Sequence, residues 1–151
     1  MRLTLEIAAE LRRVLPDDVP LFVRISATDW VEGGWDLEQS VALAKKLLPL
    51  GVDLIDASSG ALLPGVRIPV ERNYQVPFAA AIRKEAKIMT GAVGLITEVD
   101  QANEIITSGS ADLVFLAREM LREPYWSLKA QQALKQDPSW PAQYGYALHR
   151  K

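Results

Sequence analysis

Four short apolar runs, separated by segments with helical periodicity, constrain this chain more than any other feature. They lie at residues 20–26, 52–58, 87–90 and 111–116. The first run is apolar on both faces, which is typical of a covered parallel strand. Strands that alternate with helices predict βα units in a parallel sheet. The sequence therefore predicts an α/β fold with about four parallel βα units.

Chain length decides between the two architectures that use such units. A full (β/α)₈ barrel takes about 250 residues, so 151 residues supply about half of one. The alternative is an open doubly wound sheet of flavodoxin type, but residues 26–35 make a poor phosphate loop after the first strand. No G-x-G-x-x-G follows that strand either, which disfavours a dinucleotide site. We therefore expect a single domain, 1–151, that is the C-terminal half of a TIM barrel, with an irregular tail at 137–151.

Local signals predict how several helices begin and end. Apolar positions outline a first helix that ends before Pro16. A chain that begins in the middle of a barrel is expected to start in this way, with the helix of the preceding βα unit. Asp36 predicts the N-cap of the next helix. The segment Thr97 to Asp100 resembles a capping box, and Ser127 predicts a cap for a later helix. A long loop at 59–76, rich in Gly and Pro, is of the length that is usually functional or mobile.

Composition excludes several classes of function. The net charge is −2, which gives no reason to expect nucleic acid or a membrane surface as a partner. The absence of cysteine rules out disulfides and a thiolate nucleophile, and it is compatible with a cytoplasmic protein. The start has no signal-peptide core, and no apolar run approaches the roughly 20 residues of a membrane span.

The ends of the last two strands predict an anion site. Residues 89–97 and 113–118 each run from an apolar strand into small or basic residues and then into a helix. Adjacent strands that end this way present backbone N–H groups, helix N-termini and one guanidinium to a single point. This is the physical description of a phosphate-binding cup.

Charged groups on the first two strands allow more than one interpretation. Arg24 either forms a structural salt bridge, for example with Asp56, or contacts a ligand at the end of its strand. Two carboxylate pairs, Asp53 with Asp56 and Asp17 with Asp18, suggest a glycosidase or metal site. We expect neither, because no third ligand has a suitable spacing.

Five segments resemble the C-terminal half of old yellow enzyme-type flavoproteins, and in particular the bacterial branch of NADPH dehydrogenases and xenobiotic reductases. The matching segments, in the family's order and spacing, are residues 20–30, 51–60, 74–78, 91–97 and 117–126. The resemblance implies an FMN-holding (β/α)₈ barrel that reduces activated C=C bonds, such as those of enones, with NAD(P)H.

The resemblance also implies roles for individual residues. Arg24 matches an arginine that contacts the pyrimidine end of the flavin, where positive charge favours the reduced ring. Val93 and Gly94 match backbone that holds the FMN phosphate. Ala117 and Arg118 match a Gly-Arg pair that completes the phosphate site, and Ala117 departs from the family's glycine there.

No residue of this sequence matches a catalytic side chain of the family. Its substrate-binding His pair, its flavin-tuning Cys or Thr and its catalytic Tyr all belong to the N-terminal half, so we expect no catalytic residue and no metal here. Tyr146 matches an Arg or aromatic residue that reaches into a neighbouring subunit's active site. His149, the one histidine, is expected to be a surface residue of the tail.

Two functional hypotheses follow. The first is the C-terminal part of an FMN-dependent NAD(P)H oxidoreductase of ene-reductase type, inactive or weakly active alone. The alternative is a non-catalytic half-barrel that binds phosphate or FMN or assembles with itself. Half a barrel leaves strand edges and an apolar inner face open, so both hypotheses predict self-association or pairing with an N-terminal half.

Overall fold

The structure is a computed structural model that describes residues 1–60, 62–137 and 139–148. The chain divides into two compact units, Met1–Phe115 and Leu116–Lys151. The sheet lies in the first unit, and its strands are β1 (Phe22–Ser26), β2 (Leu54–Ser58), β3 (Met89–Val93) and β4 (Leu113–Phe115). The helices of that unit are α1 (Arg2–Val14), α2 (Leu37–Leu47), α3 (Val76–Ala86) and α4 (Val99–Thr107), with a 3₁₀ turn at Leu48–Leu50.

The strand order identifies the architecture. All neighbouring strands are parallel, and their spatial order is β1-β2-β3-β4. A doubly wound sheet reverses its order at a switch point, whereas a (β/α)₈ barrel keeps its strands in chain order. The predicted run of parallel βα units from a barrel is confirmed, and the flavodoxin-type alternative is wrong.

The two faces of the sheet are covered differently. On one face Ile55 and Ala92 are fully buried, and α3 packs against β2 and β3. On the opposite face, Phe22 and Met89 are 47% and 51% exposed. Our expectation that the first strand is covered on both faces is therefore wrong in this structure. The second face of a barrel strand is normally covered by side chains from the other strands of the closed barrel.

Helix α1 presents an uncovered apolar ridge. Ala8 is buried, but Leu3, Ile7 and Leu11 are 69%, 50% and 38% exposed along one row of the helix. A groove of about 310 Å³ lies between this ridge and β1. The edge of β1 and the ridge together leave an apolar surface of this unit uncovered.

The helix caps follow the predicted signals in part. Asp36 caps α2, since its side chain accepts from the Gln39 N–H, and the Gln39 side chain accepts from the Asp36 N–H. The capping box of α4 is shifted by one residue from the predicted Thr97–Asp100 pair, because Gln101 lies at the third helical position and reaches back to the Glu98 N–H.

The second unit begins with two helices, α5 (Arg118–Arg122) and α6 (Trp126–Ala133). The N-cap of α6 is Tyr125, so the predicted cap at Ser127 is wrong: that serine lies inside the helix. Within the tail, a 3₁₀ turn (Ala142–Tyr144) precedes a short helix, α7 (Gly145–Leu148). Tyr125 packs on Trp140 and Tyr144 at centroid distances of 5.6 and 5.8 Å. Among the described residues, no helix is both long and apolar enough to cross a membrane.

Candidate functional site

The middle residues of β1 and β2 form an arginine–aspartate pair on the uncovered face of the sheet. Arg24 and Asp56 are register partners on the two strands. Arg24 Nε donates to Asp56 Oδ2 at 2.5 Å, so the predicted salt bridge is confirmed. The Arg24 side chain is 59% exposed, and its two terminal nitrogens have no partner in the described part of the chain. The guanidinium is therefore held at one nitrogen and open at the other two.

Asp56 is the buried member of this pair. Its side chain is only 9% exposed, and its second oxygen, Oδ1, has no hydrogen-bond partner in the described structure. Burial raises the pKa of Asp56 above its ordinary value, and the hydrogen bond and charge of Arg24 offset part of that rise. Asp56 thus anchors Arg24 at some cost in desolvation.

A strained loop follows β3. Gly94 has φ of +105° and Leu95 has φ of +51°, and the second value is unusual for a residue with a branched side chain. A β-carbon at position 94 would overlap the amide nitrogen of Gln75 and lie 2.9 Å from a ring carbon of Tyr74. Both its φ and its close packing therefore require glycine at position 94.

Two buried side-chain amides donate hydrogen bonds to backbone carbonyls of this loop. Gln75 is 2% exposed, donates from Nε2 to the Val93 carbonyl at 2.8 Å and accepts from Ser59 Oγ at 2.7 Å. Gln101 is fully buried and donates from Nε2 to the Leu95 carbonyl at 2.9 Å. From the sequence we expect Gln75 in the loop at 59–76, and we do not predict a role for Gln101. The signal for Gln101 was its position three residues after Glu98, a spacing typical of capping boxes.

The predicted site residues fall in both units. Arg24, Val93 and Gly94 belong to the first unit, and the last two adjoin each other at the end of β3. Ala117 and Arg118 open the second unit, where both are exposed.

The backbone conformation of Ala117, which replaces the family's glycine, is also defined. The φ of Ala117 is −109°, so no left-handed conformation demands glycine at this position. Tyr146 is 88% exposed. The expectation for His149 lies outside the described residues.

The carboxylates of one predicted pair, Asp53 and Asp56, have structural partners. Asp53 Oδ2 accepts from the Leu21 N–H at 2.7 Å and lies 3.9 Å from Arg12 Nη1. Asp56 is engaged with Arg24. The described residues contain no group of three His, Cys, Asp or Glu side chains that could hold a metal ion. These contacts account for the acidic residues of β2 without a ligand.

Two cavities lie at opposite ends of the sheet. One of about 370 Å³ adjoins the end of β1 and is lined in part by Arg24, Ser26 and Asp29. Another of about 630 Å³ lies where β3 begins and is lined in part by Arg83 and Lys87. Ligands of barrels bind where the strands end, and at the opposite end the helix C-termini already account for nearby cations. We therefore take the cavity at Arg24 and the loop after β3 as the candidate site.

Comparisons with known proteins agree on one protein family. The profile of a family described as NADH:flavin oxidoreductase / NADH oxidase matches residues 1–137. A protein named NADPH dehydrogenase from Halalkalibacterium halodurans is 53% identical over 146 residues, covering 97% of this chain and 42% of the relative. A protein of that name from Bacillus subtilis is 45% identical over 139 residues, covering 92% of this chain and 40% of the relative. The chain thus spans about two fifths of the length of these curated relatives.

A solved structure supports the fold alone. The crystal structure of N-acetylneuraminate lyase from Fusobacterium nucleatum superposes with a TM-score of 0.60, covering 88% of this chain and 43% of that one. The two sequences are only 14% identical, so this likeness concerns architecture and not chemistry.

Proposed function

The chain belongs to the NADH:flavin oxidoreductase / NADH oxidase family, and on this premise we propose that it is the FMN-binding, C-terminal part of an NAD(P)H-dependent ene-reductase. The substrates are small molecules with activated C=C bonds, such as enones. The reductant is NAD(P)H, as the name of the NADPH dehydrogenase relatives suggests. Such an enzyme belongs in the cytoplasm.

The observation that carries this proposal is the open guanidinium of Arg24. Asp56 holds it at Nε, both terminal nitrogens remain available, and Arg24 lines the cavity that adjoins the end of β1. This arrangement fits the electron-rich pyrimidine end of a flavin, which an arginine can contact with two parallel N–H groups. The fixed positive charge would also favour the reduced form of the ring.

The loop after β3 fits the other end of the cofactor. Gly94 lets the backbone adopt φ of +105°, and the loop leads directly into the N-terminus of α4. Backbone N–H groups at a helix N-terminus suit a phosphate. Val93 and Gly94 are proposed to hold the FMN phosphate here, and Ala117 with Arg118 are proposed for the same role from the resemblance.

The chemistry divides between the cofactor and the chain. When bound, FMN supplies the hydride chemistry that links NAD(P)H to an activated C=C bond. The residues of this chain bind and orient the flavin, and we assign none of them a catalytic role. The groups that activate the substrate are proposed to lie in a preceding part of the protein, which is consistent with the two fifths of each relative that this chain covers.

The same interpretation proposes a partner for the uncovered surface. The groove beside α1, with the exposed Leu3 and Ile7, adjoins the free edge of β1. In a closed barrel that edge pairs with a further strand. We propose that an N-terminal half-barrel fills it. Tyr146 is proposed to serve the substrate pocket of a neighbouring subunit.

A non-catalytic module is the second candidate. Its support is the exposed apolar face of the sheet, which includes Phe22 and Met89, because such a face favours self-association. Light scattering on the purified chain separates the cases. A monodisperse dimer that binds FMN but gains no turnover when it is co-expressed with the N-terminal part of an NADPH dehydrogenase relative would favour the module. A soluble monomer would argue against obligatory self-pairing.

Flavin content and turnover test the proposed function. The purified chain is titrated with FMN and followed by flavin absorbance and fluorescence. Turnover is then measured with NADPH and 2-cyclohexenone, with the chain alone and with the chain co-expressed with the N-terminal part of an NADPH dehydrogenase relative. We expect FMN binding by the chain and turnover only in the co-expressed pair. Failure to bind FMN would contradict the proposal, and full turnover by the chain alone would contradict the division of roles.

A further inference from the structure

We propose that Gln75 and Gln101 are positioning residues that fix the loop at residues 93–97 for a flavin phosphate. Neither glutamine is proposed to touch the ligand. Each holds a backbone carbonyl of the loop from its buried side, so the loop is preformed before a ligand arrives. This inference rests on the proposed function, because it assigns a role to residues behind the proposed phosphate site.

The first support is the strain of the loop. Gly94 and Leu95 have successive positive φ values of +105° and +51°. A non-glycine residue keeps such a conformation only where its surroundings over-determine it, and strain of this kind is concentrated at ligand sites. Something must therefore hold Leu95 in place.

Gln75 supplies the first hold. Its Nε2 donates to the Val93 carbonyl, the last residue of β3, and its Oε1 accepts from the hydroxyl of Ser59. The same amide lies directly against the α-carbon of Gly94. Gln75 therefore ties the end of β3 to the segment that follows β2 and sets the position of Gly94 by contact.

Gln101 supplies the second hold, from the other side of the turn. Its Nε2 donates to the Leu95 carbonyl at 2.9 Å and to Asn73 Oδ1 at 2.8 Å. Its Oε1 accepts from the backbone N–H of Thr97 at 3.1 Å and of Glu98 at 3.4 Å. Every donor of this fully buried amide is thus used, and the residue joins the loop to the start of α4.

These contacts matter for a phosphate because its affinity depends on preformed geometry. Backbone N–H groups that already point at the anion need no reorganisation when it binds. A loop released from Gln75 or Gln101 would lose a charge-assisted hydrogen bond or reorder at each binding event. The loss should fall on the phosphate alone, because the rest of the flavin is recognised elsewhere.

A comparison of FMN with riboflavin isolates this effect, since riboflavin lacks the phosphate. The dissociation constants of both flavins are measured by fluorescence for the full chain and for Gln75→Met and Gln101→Met. Gln39→Met is the matched control, because Gln39 occupies the same capping position in α2 but touches no residue of the 93–97 loop. Thermal unfolding is recorded for every variant.

We expect Gln101→Met to lower Tm more than Gln39→Met does, because Gln101 is fully buried and Gln39 is exposed. Only Gln75→Met and Gln101→Met should weaken FMN binding, by about tenfold, while riboflavin binding stays unchanged. If the unaltered chain binds FMN more tightly than riboflavin, and Gln75→Met and Gln101→Met keep the same preference, the inference is overturned. If the unaltered chain itself does not prefer FMN, the proposed phosphate site fails instead.

A milder variant covers the case in which a buried substitution prevents folding. Asn73 has φ of +64°, and its side chain accepts from Gln101 Nε2. Asn73→Gly keeps this backbone conformation and removes only the acceptor that orients Gln101. We expect a partial loss of the preference for FMN, about threefold, at an unchanged riboflavin affinity. An unchanged preference would contradict the role of Gln101.

Discussion

Arg24 and Asp56 lie opposite each other on β1 and β2, and the pair is asymmetric: the carboxylate is buried while most of the guanidinium is exposed. The short bond between Arg24 Nε and Asp56 Oδ2 fixes the plane of the guanidinium. An exposed arginine on its own samples many conformers, whereas this one is held at Nε by Asp56. The pair is therefore built to present two N–H groups to a ligand.

The buried carboxylate predicts a particular pH dependence of stability. Burial raises the pKa of Asp56 above its ordinary value of 3.8, so the folded state binds its proton more tightly than the unfolded chain does. The stability contributed by this group is complete below that ordinary value and is lost as the pH rises through the folded pKa. Asp56→Asn removes the effect.

Urea unfolding over a series of pH values from below 3.8 to neutrality measures this contribution. We expect the unfolding free energy of the unaltered chain, relative to that of Asp56→Asn, to fall as the pH rises. A difference that grows with pH would show that Arg24 outweighs burial and holds the pKa of Asp56 below its ordinary value.

Removal of the guanidinium should weaken flavin binding. A hydrogen bond to a charged group contributes about 1.5–3 kcal/mol, so Arg24→Ala should raise the dissociation constant for FMN by at least about tenfold. Arg13→Ala is the matched control, because Arg13 also pairs with a carboxylate, Glu10, but lies in α1 and is exposed. Fluorescence titration measures both variants.

The control should bind FMN with the affinity of the unaltered chain. Arg24→Ala also leaves Asp56 buried without a partner, so the double variant with Asp56→Asn separates folding from binding. Equal FMN affinity in all variants would contradict the role of Arg24.

Sequence patterns predicted the strands and their order well, because buried parallel strands are short apolar runs with characteristic boundaries. They also predicted the bond between Arg24 and Asp56, since two charges on adjacent apolar strands have few other partners. The amide network of Gln75 and Gln101 was not predicted. Gln75 and Gln101 lie 26 positions apart in the sequence, and they hold the same loop only in the folded chain. No sequence pattern marks a glutamine as buried.

Gly94→Ala should destabilise the fold and impair binding together. Alanine at φ of +105° is strained by about 1–2 kcal/mol, and its β-carbon would displace Gln75. Gly109→Ala is a matched control, because Gly109 has φ of +73°, follows α4 and has only ordinary contact distances for a β-carbon. Urea unfolding should show a loss for both variants, whereas only Gly94→Ala should weaken FMN binding. Equal FMN affinities would contradict the placement of the site.

Gly91→Ala tests the packing between β3 and β4. A β-carbon at position 91 would overlap the ring of Phe115, which lies across this glycine. Overpacking of this kind costs about 1–3 kcal/mol of unfolding free energy. Phe115→Leu makes room, so the double variant should lose less stability than the sum of the two single variants. Strict additivity in urea unfolding would show that the two residues are not in contact.

The preference of the unaltered chain for FMN over riboflavin is the decisive test of the proposed phosphate site. Both flavins carry the same ring, so the difference between their dissociation constants measures the phosphate site alone. One hydrogen bond to a charged group already corresponds to about a tenfold difference, and we predict that FMN binds at least that much more tightly. Equal dissociation constants for the two flavins, or no binding of either, would contradict the account.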